Sequence, residues 1–231
     1  MDALSVLSDD SDYDIISPDT SIADLRHAVI PEPPPSQAAQ ETFGTCQLSS
    51  EDIQAFVRSG LGLSFLSSPT RTKRIYVDGI WDGLQVRHVL QLRQAKLSFP
   101  SVFLVVGVFS KDTCDLFGQP AALPELERCE VVRHCRWVDE VIPDAPSTLD
   151  AAFLLRHKID YVAIEEGATV DPAYHKLRVK GYDDLKRNGT VILTRRTTGV
   201  ASVPLPSRTP VLSEPETPAP EFTTDIYGIG Y

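Results

Sequence analysis

Short hydrophobic runs alternate with amphipathic stretches along the middle of the chain. Five runs have the length and the β-branched content of buried strands: RIYV, VFLVVGVF, VDEVI, DYVAIE and TVILT. Four stretches between them have helical periodicity: HVLQLRQAKLSF, LPELERCEVVRHC, STLDAAFLLRHK and GYDDLKRNG. Because strands that alternate with helices form parallel sheets covered on both faces, the pattern predicts a doubly wound α/β fold. Ligands of such folds bind at the carboxyl ends of the strands.

The ends of the predicted helices carry recognisable signals. Pro124 lies near the start of the second helix, Ser147 or Thr148 caps the third, and Gly189 follows the fourth. In the first helix an apolar side is formed by Val89, Leu90, Leu92, Ala95 and Leu97.

A further helix precedes the alternating region, in the stretch SSEDIQAFVRSGLG. Ser49 or Ser50 can cap it, acidic residues follow in its first turn, and Gly60 ends it. Its apolar face consists of Ile53, Phe56 and Val57.

Composition divides the chain into four parts. Residues 1–48 are acidic and proline-rich and are predicted to be a disordered tail. Residues 49–72 contain the short helix and a linker, and residues 73–202 form the α/β domain. Residues 203–231 are rich in proline, have Arg208 as their only cation, and are predicted to be disordered, without a membrane-binding amphipathic helix.

Charge and cysteine content narrow the function classes. The formal net charge of −10 excludes the basic footprint of a nucleic-acid-binding protein. The four cysteines lack metal-site spacing, and no signal peptide or membrane-spanning run occurs in the sequence. We expect an intracellular protein, cytoplasmic or nuclear, in which Cys129 and Cys135 are buried thiols.

The turn after the first strand has the composition of a phosphate-binding turn. Asp78, Gly79 and Asp82 shape the exit from the strand RIYV, and a helix follows. The backbone N–H groups and the positive end of such a helix attract phosphate.

Several stretches carry a family resemblance, in the same order along the chain: RIYVDGIWD, AKLSFPSVFLVVGV, RHCRWVDEVIPDAP, KIDYVAIEE and RRTTG. With EDIQAFVR upstream, they resemble the choline-phosphate cytidylyltransferases over residues 51–202. The resemblance implies a Rossmann-like nucleotidyltransferase domain, usually dimeric. It also implies a Mg²⁺-assisted reaction of CTP with phosphocholine that gives CDP-choline and pyrophosphate, for phosphatidylcholine synthesis.

The family's HxGH motif is altered in this chain. His88 stands at the second histidine, Gln85 replaces the first, and Arg87 replaces the glycine. Gln85 can donate a neutral hydrogen bond but carries no charge. Losing such a donor costs about 10²–10³ in rate by oxyanion-hole precedent. Arg87 has two interpretations: its guanidinium supplies the missing cation, or its bulk fills the phosphate space, which the loss of glycine favours.

The family's second signature, RTEGISTS, corresponds to RTTGVASV here. Arg196 would grip phosphate, with an ion pair to Glu165 or Glu166 as the alternative. Thr198 replaces the family glutamate, and Pro204 and Pro206 disfavour the helix that would follow.

The resemblance assigns further positions. The predicted nucleotide-binding residues are Gly79, Ile80, Trp81, Asp82, Arg87, Glu165, Arg195, Thr197 and Gly199, with Asp82 and Glu165 as the candidates for Mg²⁺ although no clear metal-ligand set exists. Tyr182 would contact the alcohol substrate. Family substrate residues are replaced at Gly118, Ser147, Ile164 and Thr169.

Two functions therefore remain open. The first is a cytidylyltransferase with impaired or altered activity, in which His88, Gln85 and Arg196 act on CTP. The second is an inactive paralogue that serves as a CTP sensor or as a homodimeric or heterodimeric partner. The segment RHCRWVDEV, with Arg136 and Trp137, resembles the family's dimer contact.

Overall fold

The computed structural model describes residues 32–62, 71–167 and 172–200, with the backbone alone for 172–177, 179 and 180. The chain divides into two units, residues 1–35 and 36–231, and the elements described here belong to the second. The two predicted disordered tails lie mostly outside the described residues. Among the residues described, no helix is both long enough and apolar enough to cross a bilayer.

Five parallel strands form one sheet. They are β1 (Lys73–Gly79), β2 (Val102–Val108), β3 (Glu140–Ile142), β4 (Tyr161–Glu165) and β5 (Val191–Thr194). The sheet order is β3-β2-β1-β4-β5, and every neighbouring pair is parallel. The predicted parallel α/β fold is therefore confirmed, with all five strands at the predicted hydrophobic runs.

Seven helices accompany the strands in the described ranges. They are α1 (Gln37–Thr42), α2 (Ser50–Leu61), α3 (Val86–Leu97), α4 (Lys111–Leu116), α5 (Glu125–Arg133), α6 (Ala151–Arg156) and α7 (Pro172–Arg187). Helices α1 and α4 were not predicted. Each has only six residues, and neither has a run of apolar residues at helical spacing.

The core covers both faces of the sheet, as the alternation of side chains along a strand requires. On one face Ile75 and Val77 of β1 pack with Leu92 and Ala95 of α3. On the other face Tyr76 packs with the cluster that contains Val105, Phe153, Val162, Tyr182 and Leu185. The strands are buried on both sides, which explains their nearly continuous hydrophobic runs.

Some local predictions need correction. Helix α2 has its cap at Ser49, as predicted, but it ends at Gly62, whose φ of 65° suits the left-handed cap, rather than at Gly60. Helix α6 is capped by the Asp150 carboxylate, which accepts from the Phe153 N–H, and not by Ser147 or Thr148. Gly189 follows α7 with a φ of 68°, as predicted for its end.

The predicted disordered tail is wrong for its last residues. Helix α1 is capped by Ser36, and a turn after it buries Thr45 and Cys46. The carbonyl of Leu48 accepts from Nη1 of Arg93 in α3 (2.9 Å). This segment is polar overall, so composition hid the fact that it packs against the domain.

Candidate functional site

A cleft of about 330 Å³ lies at the carboxyl end of β1. From β1 the chain runs through β2 to β3 on one side and later through β4 to β5 on the other. The cleft is therefore at the point where the strand order reverses, which is where open α/β sheets bind ligands. Its walls are formed by Asp78, Gly79, Ile80, Trp81, Asp82, Arg87, His88, Gln91, Gln119, Pro120 and Glu165.

The floor of the cleft is set by Trp81, which folds back over the end of β1. Its φ is 54°, and its indole Nε1 donates to the carbonyl of Gly107 (2.8 Å). A Cβ on Gly79 would lie 2.9 Å from the Trp81 ring, so glycine at this position allows the close approach. The turn after β1 is thereby tied to β2.

Asp82 holds the loop before α5 against the cleft through both of its carboxylate oxygens. It is buried, and its two carboxylate oxygens accept from the backbone N–H groups of Ala122 (2.6 Å) and Leu123 (3.0 Å). Both oxygens thus have protein donors, which leaves the carboxylate poorly placed to bind a metal ion.

Arg128 is one of two arginines near this site that sequence reasoning missed. Its side chain is fully buried. It donates to the carbonyl oxygens of Ile80 (2.6 Å), Phe109 (2.8 Å) and Leu123 (3.1 Å). The guanidinium therefore joins the loops after β1 and β2 to the start of α5. A buried arginine inside an amphipathic helix looks like an ordinary surface charge in the sequence.

His88 lies in the first turn of α3 with a defined tautomer. The backbone N–H of Gln85, the N-cap residue, donates to Nδ1 of His88 (3.0 Å). Burial, and then the charge of Arg87, lower the pKa of His88 from 6.5 to about 4. The imidazole is therefore neutral at pH 7, and its proton is on Nε2.

Arg87 is exposed and lies along the cleft wall, at the second position of α3. In the part of the chain that the structure describes, no ion pair holds its guanidinium. The side chain is therefore on the cleft wall, and both of its predicted roles stay open.

The deep end of the cleft holds an acid paired to a basic residue of α7. Nη2 of Arg178 donates to Oδ1 of Asp78 (2.6 Å), and the Tyr182 hydroxyl donates to the same oxygen (2.8 Å). Nη2 of Arg178 also donates to the Tyr182 hydroxyl (2.7 Å). Burial, followed by the Asp78 charge, raises the pKa of Tyr182 well above 10. Tyr182 thus bonds to a residue of the cleft wall, and its contact with the alcohol substrate stays a prediction. Arg178 was missed; its spacing of four from Tyr182 on one helix face was the available signal.

The RTTG segment does not line the cleft. Arg196 is exposed and is not part of the cleft wall, and Arg195 stacks on the Phe56 ring of α2 (4.7 Å) beside a separate pocket. The buried Thr197 hydroxyl bonds to that of Thr45 (2.7 Å), and Gly199 packs on the Thr42 carbonyl. The phosphate roles given to these residues stay predictions.

The replaced positions are scattered. Gly118 follows α4 with a φ of 63°, Ile164 packs in β4, and Thr198 lies near Gly44. The carbonyl of Ser147 accepts weakly from Arg178 (3.4 Å). Thr169 lies outside the described residues.

The residues of the predicted dimer contact have partners within the chain. Asp139 accepts from Lys96 Nζ (2.5 Å) and from the Leu104 N–H (2.6 Å). Trp137 packs partly on the core, with the Arg136 guanidinium 5.0 Å from its ring centroid. Cys129 and Cys135 are half-buried rather than buried, and both are free thiols. Dimerisation stays a prediction.

Comparison with known proteins gives the family. Residues 76–222 match the family model described as Cytidylyltransferase-like. The chain is 41% identical over 142 residues to choline-phosphate cytidylyltransferase of Saccharomyces cerevisiae, covering 61% of this chain and 32% of that protein. It is 41% identical over 136 residues to choline-phosphate cytidylyltransferase 2 of Arabidopsis thaliana, covering 59% of this chain and 44% of that protein. The ethanolamine-phosphate cytidylyltransferase of Dictyostelium discoideum is 32% identical over 145 residues, covering 62% of this chain and 39% of that protein.

This chain therefore spans less than half the length of these relatives. The family match, in contrast, covers well over half of the chain and includes the cleft, the turn after β1, the last four residues of β1 and the other four strands. The chain belongs to the Cytidylyltransferase-like family.

Proposed function

We propose that the chain binds CTP in the cleft at the end of β1 and acts as a cytidylyltransferase whose activity is impaired or altered. The observation that carries this proposal is the neutral His88 in the first turn of α3, on the cleft wall and with its Nε2 proton available. A neutral N–H donor beside a helix N-terminus suits a phosphate group.

In this proposal the chain's residues act on the triphosphate. A phosphate oxygen of the phosphorylated alcohol attacks the α-phosphorus of CTP, and pyrophosphate leaves. Nε2–H of His88 donates to a non-bridging phosphate oxygen while negative charge builds on it. Arg87, exposed on the same wall, adds a positive charge, and a guanidinium suits phosphate well.

Two features support a slow or altered reaction. Gln85 cannot supply a second imidazole at the N-cap. Arg196, to which the family resemblance gives a grip on phosphate, is not among the residues that line the cleft. Since the relatives include enzymes for choline phosphate and for ethanolamine phosphate, phosphocholine is one of at least two substrates to test.

Magnesium would be held mainly by the nucleotide. No group of three metal-ligating side chains exists within the described ranges, and Asp82 is occupied by backbone donors. Glu165 remains on the cleft wall, and Mg²⁺ commonly binds through one carboxylate plus substrate phosphates. When bound, the ion would neutralise charge on the leaving pyrophosphate.

A second candidate function is a catalytically silent CTP sensor or dimer partner. The altered N-cap at Gln85 favours it, because binding needs fewer charged donors than transition-state stabilisation does. The Arg136–Trp137 pair would supply the anchor of such a homodimer or heterodimer, since these two residue types are enriched in interface cores.

The deciding experiment combines binding with turnover. CTP is titrated into the full chain by calorimetry, and pyrophosphate release is then measured with Mg²⁺ and with phosphocholine, with phosphoethanolamine or with a phosphorylated alcohol that carries no cationic group. CTP binding with slow pyrophosphate release supports the first function, and CTP binding without release supports the sensor. If CTP does not bind at all, the cleft is not a nucleotide site and both the enzyme and the sensor are excluded, while a dimer found by light scattering would leave the role of dimer partner.

A further inference from the structure

The Asp78–Arg178 pair joins the end of β1 to α7 across 100 positions of sequence. The side chains are nearly buried, with exposed fractions of 4% for Asp78 and 13% for Arg178. Burying such a pair carries a large desolvation cost, so its presence beside a ligand cleft calls for a chemical reason.

Three aromatic rings surround the guanidinium. Its central carbon lies 4.7 Å from the ring centroid of Phe109, 4.9 Å from that of Tyr182 and 5.3 Å from that of Phe117. A cation is attracted to a ring face within about 6 Å. A carboxylate together with several ring faces is the chemistry that recognises an organic cation, and here the cation belongs to the protein itself.

The contact between the two charges is incomplete. Arg178 reaches only Oδ1 of Asp78, although guanidinium and carboxylate groups commonly form two parallel bonds. Oδ2 of Asp78 and the hydroxyl of Tyr76 are both buried without a hydrogen-bond partner in the described part of the chain. If this ion pair served only stability, we would expect both atoms to have hydrogen-bond partners, because unpaired buried polar groups are costly.

The unpaired Tyr76 hydroxyl lies against Gly107, where only glycine leaves room for it. A Cβ on Gly107 would overlap the Tyr76 hydroxyl and would lie 2.9 Å from Cβ of Ala145. Asp78 also forms part of the wall of the proposed nucleotide cleft. The pocket around Asp78 is thus next to the place where the phosphates would bind.

We propose that Arg178 occupies an organic-cation pocket formed by Asp78, Tyr182, Phe109 and Phe117, and that it excludes substrates with an ammonium head group. The statement that this pocket is the alcohol subsite rests on the proposed function. The occupation of the pocket by Arg178 does not. In this state the chain selects phosphorylated alcohols without a cationic group, and a cationic one binds only when Arg178 leaves Asp78.

The test measures binding of tetramethylammonium to the full chain and its variants, by calorimetry and by the shift in Tm that a ligand of the folded state produces. Arg178→Ala should bind tetramethylammonium roughly tenfold or more tightly than the wild type, because an acid and three ring faces become available. Adding Asp78→Asn to this variant should abolish the gain. Arg195→Ala is the matched control, since it removes a guanidinium from the Phe56 ring outside the pocket.

A second variant guards against misfolding. Arg178→Gln keeps a polar, unbranched side chain that is shorter and uncharged, and methylguanidinium should raise its Tm in a saturable manner. Equal tetramethylammonium affinities for the wild type and a folded Arg178→Ala would overturn the proposal. It would also be overturned if neither variant folds, because Arg178 would then be a structural tie. CTP titration of the same proteins keeps the two proposals separate, since absence of CTP binding contradicts only the proposed function.

Discussion

The backbone N–H of Gln85 donates to Nδ1 of His88 over 3.0 Å, and this bond decides which ring nitrogen faces outward with a proton. Position 85 has no imidazole side chain, but its backbone N–H still orients the imidazole of His88.

The pKa of His88 should be about 4 in the folded protein, because burial and then Arg87 disfavour the imidazolium. Arg87→Gln should raise that pKa part of the way toward 6.5, since burial, the larger cause, remains. Two-dimensional NMR of the imidazole Cε1–H signals between pH 3 and 8 measures both values. Arg156→Gln on the exposed end of α6 is the control and should leave the His88 curve unchanged.

The same shift makes stability depend on pH with a defined sign. The unfolded chain binds a proton at His88 below about pH 6.5, whereas the folded chain does not until about pH 4. The contribution of His88 to the free energy of unfolding is therefore complete above pH 6.5 and is lost as the pH falls toward 4. Urea unfolding across this interval checks the sign, and a His88 contribution that grows on acidification would contradict the burial of the ring.

Restoring an imidazole at the N-cap should restore catalysis. The double variant Gln85→His/Arg87→Gly places a second imidazole and a bare backbone at the start of α3 in place of the Arg87 charge. We expect turnover with CTP to rise, but by less than the factor of about 10²–10³ that an added donor alone would give. Pyrophosphate release measures it. Gln91→His adds an imidazole to the same cleft wall, one turn later, and should give no such rise. An unchanged rate in the double variant would show that the loss of activity lies elsewhere.

Arg128→Met should lower the free energy of unfolding by on the order of 3 kcal/mol, because three buried carbonyl oxygens lose a charged donor. Urea unfolding followed by circular dichroism gives the value. Arg133→Met, on the same helix but exposed and bonded to the exposed Glu130 and His134, should stay close to the wild type. Similar losses for both variants would mean that Arg128 does not tie the loops together.

Gly199→Ala should destabilise the chain more than Gly62→Ala. Both glycines have positive φ, at 79° and 65°, which costs a residue with a side chain about 1–2 kcal/mol. A Cβ at Gly199 would in addition overlap the carbonyl oxygen of Thr42, whereas one at Gly62 meets nothing within 4 Å. The difference in Tm between the two variants measures the contact of the RTTG segment with α1, and equal values would argue against that contact.

The strands were predictable because burial on both faces leaves each of them a continuous apolar run. The residues Gly79, Ile80, Trp81, Asp82, Arg87 and His88 could likewise be brought to one site from sequence, since they lie in a single turn between β1 and α3. Their closeness in the sequence was enough to place these residues at one site.

The contacts made by Arg178 and Arg128 could not be predicted in the same way. Each side chain reaches residues 48 or more positions away, Ile80 from Arg128 and Asp78 from Arg178, and no local pattern encodes such a distance. Polar residues at helix positions look like a solvated face in the sequence, and only the packing of α5 and α7 against the loops shows that these two are enclosed. The contacts of the RTTG segment were missed for a different reason. Its motif was recognised in the sequence, but its contacts are with the end of α1 and the turn after it, which composition assigned to a disordered tail.

The bond between Thr45 and Thr197 bears on how this protein should be produced. Composition alone would place the start of the domain at Ser49 or at Lys73. A recombinant fragment that begins there lacks Thr45, which is the hydrogen-bond partner of the Thr197 hydroxyl, and exposes the segment that follows β5. A fragment that begins before Ser36 contains both threonines.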